Sequence, residues 1–289
     1  MDETNLNKSI NWYPGHMAKT KREIKEKLNI IDIVLCLVDA RIPYSTFSLG
    51  LESIIEKKPK IMVLSKYDLC DKEETSKWEN KYKEQGYNII KANLKDGSDY
   101  KNVISEIEKL MIPINKKRHE KGLLDQKARV LVLGVPNVGK STLINKISGK
   151  NKVNVGNKPG VTKSLSWIRV NSKIDLLDSP GLLVPKIEEK EVALNLSSMT
   201  TIKEDILPID EVAVHILNKL NDYYPSILKD NYGIDEVNKD DFVETYHLIA
   251  DFRGIKTKDE DEMFERVSMM IINDIKSEKI KGITFDRYE

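Results

Sequence analysis

The chain has 289 residues, 40% of them hydrophobic and 32% charged, with a formal net charge of +1 at pH 7. This length is enough for one sizeable core and a second, smaller domain. The longest apolar runs fall far short of the roughly 20 residues that a transmembrane helix needs, and the polar residues Met1 to Asn11 are unlike a signal peptide. Two cysteines, Cys36 and Cys70, cannot build a disulfide framework, so we expect a cytoplasmic protein with no membrane partner.

The charge is divided unevenly along the chain. Residues 190–289 carry 13 Lys and Arg against 22 Asp and Glu, a net charge of −9, whereas the preceding residues carry 34 against 24, a net charge of +10. Two basic clusters, at Lys19 to Lys27 and at Lys116 to Lys121, lie in the basic part. Either cluster alone is typical of a solvated helix face, but together with the uneven charge they indicate a polyanionic partner.

Apolar segments alternate with amphipathic ones over most of the chain. This alternation predicts an α/β fold, with a mostly parallel sheet and helices on both faces. The predicted strands are 31–38, 60–64, 88–91, 129–133, 166–170 and 173–177, and the predicted helices are 17–28, 49–57, 73–85, 100–110 and 141–148.

The end of the chain has a different pattern. From about Glu188 onward the periodicity is helical and predicts a smaller all-helical C-terminal domain. The polar, basic stretch from Pro113 to Gln126 predicts a surface connection between two halves of the α/β domain. We therefore expect domains at 1–187 and 188–289.

The segment Ser-Lys-Tyr-Asp at residues 65–68 follows a predicted strand. Its Asp68 carboxylate can accept hydrogen bonds from the two donors on the Watson–Crick edge of guanine, which adenine lacks, so the segment favours GTP over ATP. The Lys66 stem would lie along the ring. Ser65 stands where Asn is usual; it keeps a hydroxyl with a shorter reach, and we expect guanine selectivity with weaker affinity.

A second base-contacting segment is predicted after the next strand. Lys91, Ala92 and Asn93 are placed for a backbone N–H to bond the guanine oxygen. The signal is weak alone, since Lys91 stands where Ser is expected.

Residues 134–141, GVPNVGKS, predict a phosphate loop. Gly134 and Gly139 permit a tight turn whose N–H groups point at the phosphates, and the next helix adds its positive N-terminal end. Lys140 would reach the β- and γ-phosphates, and the Ser141 hydroxyl would bind Mg²⁺. A chance match would rarely have a strand before it and a helix after it. The predicted nucleotide-contacting residues are Pro136, Asn137, Val138, Gly139, Lys140, Ser141 and Thr142.

Two later segments complete the predicted site. Asp178, at the end of a predicted strand, is placed to bind Mg²⁺ through a water molecule, and the Gly181 amide is placed to approach the γ-phosphate. Thr162, in a Gly/Pro loop between these segments, can put its hydroxyl on Mg²⁺. Each of these residues is also common in ordinary turns, so the prediction depends on their position after the phosphate loop.

The base-reading segment precedes the phosphate loop, which reverses the order of an ordinary GTPase and predicts a circularly permuted P-loop GTPase domain. Residues 11–19 (NWYPGHMAK) and 39–43 (DARIP) resemble the WFPGHMAK and DARIP segments of the ribosome biogenesis GTPase A family, and residues 264–286 resemble the end of its helical domain more loosely. The resemblance runs nearly end to end. It implies a factor that binds a late precursor of the large ribosomal subunit, with its rRNA and ribosomal proteins, hydrolyses GTP, and leaves.

The resemblance also bears on catalysis and cofactors. Leu182 stands where many GTPases carry a Gln, and Leu cannot orient water; the family points instead to His16, whose imidazole can. The alternative is that His16 packs beside Trp12 or contacts RNA. Asn137 resembles the residue that holds K⁺ in GTPases with PNVGKS, or else it only closes the loop. We expect GTP or GDP with Mg²⁺ as ligands, slow hydrolysis without the ribosomal partner, and a monomer.

Alternative functions remain open from the sequence. One is a GTP-dependent switch that recruits a non-ribosomal protein effector, and another is a metabolic P-loop ATPase or kinase, against which Asp68 argues. Because the C-terminal part carries a charge of −9, we expect most phosphate contacts to come from the basic front part.

Overall fold

The computed structural model describes residues 10–11, 14–47, 52–95, 97–149, 164–181, 186–187, 189–199, 207–239 and 241–288, without the side chains of 10, 11, 14–18, 186 and 187. The strands are β1 Ile10–Asn11, β2 Ile33–Asp39, β3 Lys60–Ser65, β4 Tyr87–Ala92, β5 Ala128–Gly134, β6 Ser166–Arg169, β7 Ile174–Asp178 and β8 Lys186–Ile187. The helices are α1 Pro14–Lys27, α2 Pro43–Phe47, α3 Glu52–Ile55, α4 Lys72–Glu84, α5 Tyr100–His119, α6 Lys140–Ser148, α7 Lys190–Ser198, α8 Ile209–Tyr223, α9 Pro225–Tyr232, α10 Phe242–Arg253 and α11 Glu260–Lys276, with a 3₁₀ turn at Leu28–Ile30.

Six strands form the central sheet in the order β4-β3-β2-β5-β7-β6. All neighbouring pairs are parallel except β6 and β7. Every residue of β2 is buried, as expected for a parallel strand that is covered on both faces. The α/β fold class is confirmed. Strands β1 and β8 form a separate antiparallel pair.

The helices that connect the strands pack on the sheet in two groups. Helix α5 contacts α6, β4 and β5, whereas α2 contacts β2 and α4. The prediction that a surface connection begins at Pro113 is wrong, because α5 continues to His119 with this proline inside it. Met111 and Ile114, on either side of Pro113, both pack against the core, and this packing keeps the helix going despite the lost N–H.

The C-terminal part is helical, as predicted. In the described residues after β8, helix α8 contacts α7, α9 and α11. The last described residues, 280–288, pack against the segments that follow β2 and β3, where their amides bond the carbonyl oxygens of Arg41 and Leu69. The side chains of Ile283 and Phe285 are fully buried in the core there. The domain division between 187 and 188 stays a prediction. Among the described helices, none is long and apolar enough to cross a lipid bilayer.

Candidate nucleotide-binding site

The carboxyl ends of β3, β4, β5 and β7 lie at the same edge of the sheet, since these strands are parallel. Ligands of open α/β sheets bind at this edge. The base-reading segment, the second base-contacting segment, the phosphate loop and Asp178 each follow or end one of these strands. The permuted chain therefore brings four segments that are far apart in sequence to one place.

Direct contacts join the base-reading and phosphate loops. Ser65 Oγ lies 2.7 Å from the Val138 carbonyl oxygen and 2.9 Å from that of Val38. Gly139 has a φ of 99°, and a Cβ at this position would lie 3.2 Å from the Leu94 side chain. The Ser65 hydroxyl thus reaches the neighbouring loop despite its short side chain, and Gly139 meets both the unusual φ and the close approach.

The phosphate loop has the backbone that anion binding requires. Asn137 has a φ of 60°, in the left-handed region, and α6 begins directly after Gly139. A Cβ at Gly134 would lie 2.8 Å from Val138 Cγ1 and 3.1 Å from the Leu37 carbonyl oxygen, so only glycine fits there. The partly buried Ser141 lies in the first helical turn, where N–H groups and the helix dipole favour phosphate.

Lys140 and Asp178 form a buried ion pair across this edge. Lys140 Nζ lies 3.5 Å from Asp178 Oδ1, with side chains 8% and 1% exposed. Burial lowers the pKa of Lys140, and the Asp178 charge opposes this only in part. A buried ammonium group next to the Asp178 carboxylate can take up a phosphate as a further anionic partner.

Gly181 lies against the phosphate loop. A Cβ there would lie 2.8 Å from Pro136 Cγ and 2.9 Å from Pro136 N. The preceding turn is fixed by the buried Ser179 hydroxyl, which donates to the Val132 carbonyl oxygen at 2.7 Å. The backbone at Gly181 can therefore approach the phosphate loop more closely than any side chain would allow.

Asp68 is exposed, and its carboxylate is available to a ligand. The neighbouring Lys66 has a φ of 53°, and its Nζ donates to Asp39 Oδ2 at 2.8 Å. Asp39 also accepts from Arg41 Nε at 3.0 Å and from a terminal guanidinium nitrogen at 2.8 Å. The lysine predicted to lie along the base is thus fixed at its charged end.

The Asp39 carboxylate is fully buried between two cations. Burial alone would raise its pKa, but the charges of Arg41 and Lys66 overcome this effect and hold the pKa well below its usual range. Burial lowers the pKa of Lys66 more than Asp39 raises it. This ion cluster, which the sequence did not predict, supports the base-reading loop from behind. The signal available was the acidic residue at the end of a buried strand, in the DARIP segment.

The second base-contacting segment is already partly engaged. The Asn93 N–H donates to Asp99 Oδ2 at 2.7 Å, and Lys91 Nζ pairs with Glu79 Oε1 at 2.9 Å. The Ala92 side chain is buried. The Asn93 amide already has a partner, and Ala92 pairs with Ser65 of β3, so a contact of this segment with the guanine oxygen stays a prediction.

The structure does not describe the side chains of three residues with predicted roles. His16 is in α1, but its side chain lies outside the described part. Thr162 and Leu182 lie outside the described residues altogether. Their predicted roles therefore stay predictions.

Comparisons with known proteins agree with this geometry. A family model described as 50S ribosome-binding GTPase matches residues 129–232. Ribosome biogenesis GTPase A of Bacillus pumilus is 38% identical over 281 residues, which cover 97% of this chain and 99% of that protein. The chain belongs to the ribosome biogenesis GTPase A family.

Two solved structures of this family extend the likeness to the fold. GDP-bound TM YlqF has a TM-score of 0.63 with 26% identity, covering 92% of this chain and 99% of that one. GNP-bound YlqF from T. maritima has a TM-score of 0.62 with 26% identity, covering 93% and 98%. The predicted circularly permuted P-loop GTPase fold is confirmed, and the chain is a nucleotide-binding GTPase of ribosome biogenesis.

Proposed function

We propose that this GTPase acts on a late precursor of the large ribosomal subunit, as a cytoplasmic monomer that binds rRNA and ribosomal proteins and then leaves. Membership of the family carries the proposal, and the meeting of the Asp68 loop with the phosphate loop through Ser65 and Val138 supports guanine nucleotide binding. The match to the 50S ribosome-binding GTPase model over residues 129–232 supports the choice of the large subunit.

The nucleotide is proposed to lie across the sheet edge. Asp68 would accept from guanine, Ala92 would donate to the guanine oxygen, and residues 136–142 would surround the phosphates. Lys140 would move part of its pairing from Asp178 to the β- and γ-phosphates.

The residues present fit Mg²⁺. The ion prefers hard oxygen ligands and is usually held by one or two protein groups together with substrate phosphates. Ser141 at the start of α6 and the buried Asp178 carboxylate supply such oxygens, and Thr162 is the proposed third contributor. When bound, Mg²⁺ would neutralise charge on the phosphates. Loss of GTP hydrolysis on chelation, restored by added MgCl₂, is the expected result.

K⁺ at Asn137 is proposed as a further source of positive charge. Turnover of the purified protein in KCl should exceed that in NaCl at equal ionic strength. Equal rates in the two salts would remove K⁺ from the mechanism and leave Asn137 as a loop residue.

His16 is proposed to orient the attacking water, in place of the Gln that Leu182 replaces. His16→Ala should lower kcat strongly and leave the GDP affinity unchanged, since the residue would act on water and not on the base or phosphates. An unchanged kcat, with weaker ribosome binding, would instead support the alternative that His16 contacts RNA.

The basic front part is proposed to contact RNA phosphates. Lys19 and Arg22 are exposed and lie 3.9 Å from Glu23 and Glu26, and such loose surface pairs are easily exchanged for phosphate.

Co-sedimentation with large-subunit precursors in a non-hydrolysable GTP analogue tests both the partner and this surface. Neutralising Lys19, Lys21 and Arg22 should weaken binding and reduce its salt dependence. The matched control neutralises three exposed cations of the acidic part, Lys256, Lys258 and Arg266, and should change little. Absence of co-sedimentation by the unaltered protein would favour a non-ribosomal effector.

A further inference from the structure

The chain ends in a segment, Glu278 to Tyr288, that runs back from α11 to the front of the molecule; we call it the return segment. Its backbone bonds directly to the base-reading loop. The amides of Gly282 and Ile283 donate to the Leu69 carbonyl oxygen at 2.8 and 3.3 Å, and Leu69 directly follows Asp68. The residue proposed to read guanine is therefore one position from a junction with the C-terminus.

The same segment also reaches the second base-contacting loop. Glu278 Oε1 lies 2.6 Å from Lys95 Nζ, and the glutamate side chain is only 21% exposed. Lys95 belongs to the turn after β4, since its N–H donates to Asn93 Oδ1 at 2.9 Å. Glu278 has a φ of 61°, the left-handed conformation with which α11 ends, and its N–H donates to the Ile275 carbonyl oxygen at 3.2 Å.

A third contact lies behind Lys66. The Phe285 N–H donates to the Arg41 carbonyl oxygen at 2.8 Å, and Arg41 holds the Asp39 carboxylate that fixes Lys66. The Thr284 hydroxyl accepts from the Asp71 N–H at 3.1 Å. The return segment thus contacts the base-reading loop, the turn after β4 and the backbone of Arg41.

The return segment is anchored independently of a nucleotide. Phe285 is fully buried, and Asp286 accepts from the Ser45 N–H at 2.7 Å and from Asn195 Nδ2 at 2.8 Å. Lys219 Nζ of α8 donates to the Phe285 carbonyl oxygen at 3.0 Å. Helices α7 and α8 are therefore connected through this segment to the base-reading loop.

We propose that the return segment is a positioning element of the guanine site, which sets the spacing between the Asp68 loop and the Lys95 loop. The proposal rests on the assignment of Asp68 as the guanine acceptor. Guanine binding and docking of the return segment then stabilise each other, because coupling between two binding equilibria is reciprocal. A partner that pulls on the C-terminal helices would lower the affinity for guanine nucleotides.

The Glu278–Lys95 ion pair offers the mildest test. GDP and IDP affinities are measured for Glu278→Gln, Lys95→Gln and the double variant. IDP lacks the exocyclic amino group from which one Asp68 oxygen would accept a hydrogen bond. Each single variant should weaken GDP binding about two- to fivefold, because an ion pair whose lysine side chain is 66% exposed contributes at most about 1 kcal/mol. IDP binding should change less, because a displaced Asp68 costs most where both donors are present. The double variant should be no weaker than either single one.

The control is Lys229→Gln, which removes another exposed ion pair, Lys229 to Asp235 at 2.7 Å, remote in sequence from both base loops. It should leave both affinities unchanged, and thermal unfolding verifies that all variants are folded. The proposal would be overturned if the GDP and IDP dissociation constants of both single variants lay within twofold of those of the unaltered protein.

Amide hydrogen exchange gives a second, independent readout. GDP should slow exchange at Gly282, Ile283 and Phe285 in the unaltered protein, and unchanged exchange there would overturn the coupling. Asp68→Asn distinguishes a failure of the proposed guanine site from a failure of the proposed role of the return segment. If it leaves GDP binding intact, the guanine site is misassigned and both proposals fall; if it abolishes GDP binding while the ion-pair variants bind normally, only the role of the return segment falls.

Discussion

Ser65 Oγ lies 2.7 Å from the Val138 carbonyl oxygen, and this buried contact joins the loop that reads the base to the loop that holds the phosphates. The same oxygen is 2.9 Å from the Val38 carbonyl oxygen. A hydroxyl has one hydrogen to donate, so it can serve only one of the two acceptors at a time. The shorter distance favours the Val138 carbonyl oxygen, so the hydroxyl joins β3 to the phosphate loop with the β2 carbonyl oxygen as its alternative acceptor.

Ser65→Ala should destabilise the protein and weaken nucleotide binding together. Removing the hydroxyl leaves one buried carbonyl oxygen without the hydrogen bond that Ser65 donates, which costs about 1–3 kcal/mol, and frees the two loops to move apart. We expect a severalfold rise in the GDP dissociation constant, measured by titration, and a lower midpoint of urea unfolding.

The matched control is Ser198→Ala in α7, where an equally buried hydroxyl donates to the Leu194 carbonyl oxygen at 2.8 Å. It should leave the GDP affinity unchanged and change stability little, because the Leu194 carbonyl oxygen also lies four residues before the Ser198 N–H of the same helix. Equal effects of the two substitutions on GDP binding would show that Ser65 acts only through general stability.

Asp68→Asn should change which base is bound. The amide offers one acceptor and one donor, whereas guanine presents two donors, so GDP binding should weaken by at least about tenfold, the loss that a mismatched buried pair brings. Xanthine presents a donor beside an acceptor, and the variant should bind XDP better than the unaltered protein does. Asp125→Asn, an exposed carboxylate paired only with His119 among the described residues, is the control. Unchanged GDP and XDP affinities would place the base elsewhere.

The sequence predicted the sheet edge well because its signals are local. The mostly apolar runs 60–64 and 129–133 are followed directly by the base-reading segment and the phosphate loop. Strands β3 and β5 extend beyond these predicted ranges by at most one residue at either end. The length of α5 was not predictable in the same way, since Pro113 is a local signal for an end and the packing of Ile114 that overrides it is tertiary.

The ion cluster and the return segment were beyond local reasoning for a related reason. Asp39 and Lys66 are 27 residues apart, and Asp286 and Ser45 are 241 apart. Nothing in the spacing of such residues indicates a partner. The sequence interpretation of the C-terminal part as helical therefore did not predict that its last residues contact Arg41, Ser45 and Leu69.

Gly181→Ala should push the Gly181 backbone away from the phosphate loop. The new Cβ would lie 2.8–3.0 Å from three atoms of Pro136, and overpacking of this kind costs about 1–3 kcal/mol. If the Gly181 amide contacts the γ-phosphate, affinity for a non-hydrolysable GTP analogue should fall more than affinity for GDP. The GDP affinity of the same variant is the internal control. A proportional loss for both nucleotides would argue against a γ-phosphate contact.

The contributions of Asp286 and His215 to the free energy of unfolding should depend on pH in opposite directions. Burial raises the pKa of Asp286 to about 6, although hydrogen bonds from Ser45 and Asn195 oppose this. The folded state therefore binds this proton more tightly than the unfolded state, and stability from this group falls as pH rises from about 4 to 6.

His215 titrates in the opposite sense. Burial and the charge of Lys219 lower its pKa to about 4, with Glu191 opposing. Its ring nitrogen Nε2 lies 2.8 Å from Asn195 Oδ1, and Asn195 Nδ2 donates to Asp286, so Nε2 must carry the hydrogen of the neutral ring. Because the unfolded histidine is protonated first, stability from this group falls as pH drops from about 6.5 to 4.

The two slopes should largely cancel in the unaltered protein between pH 4 and 6, and single variants should expose them. Each shift corresponds to up to about 3 kcal/mol, somewhat less for the partly exposed His215. His215→Gln removes one titration, so stability should rise on acidification relative to the unaltered protein. Asp286→Asn removes the other, so stability should fall more steeply. Urea unfolding at several pH values measures the slopes, which are independent of any constant loss from the substitution. Curves parallel to that of the unaltered protein would show that neither group titrates in this range.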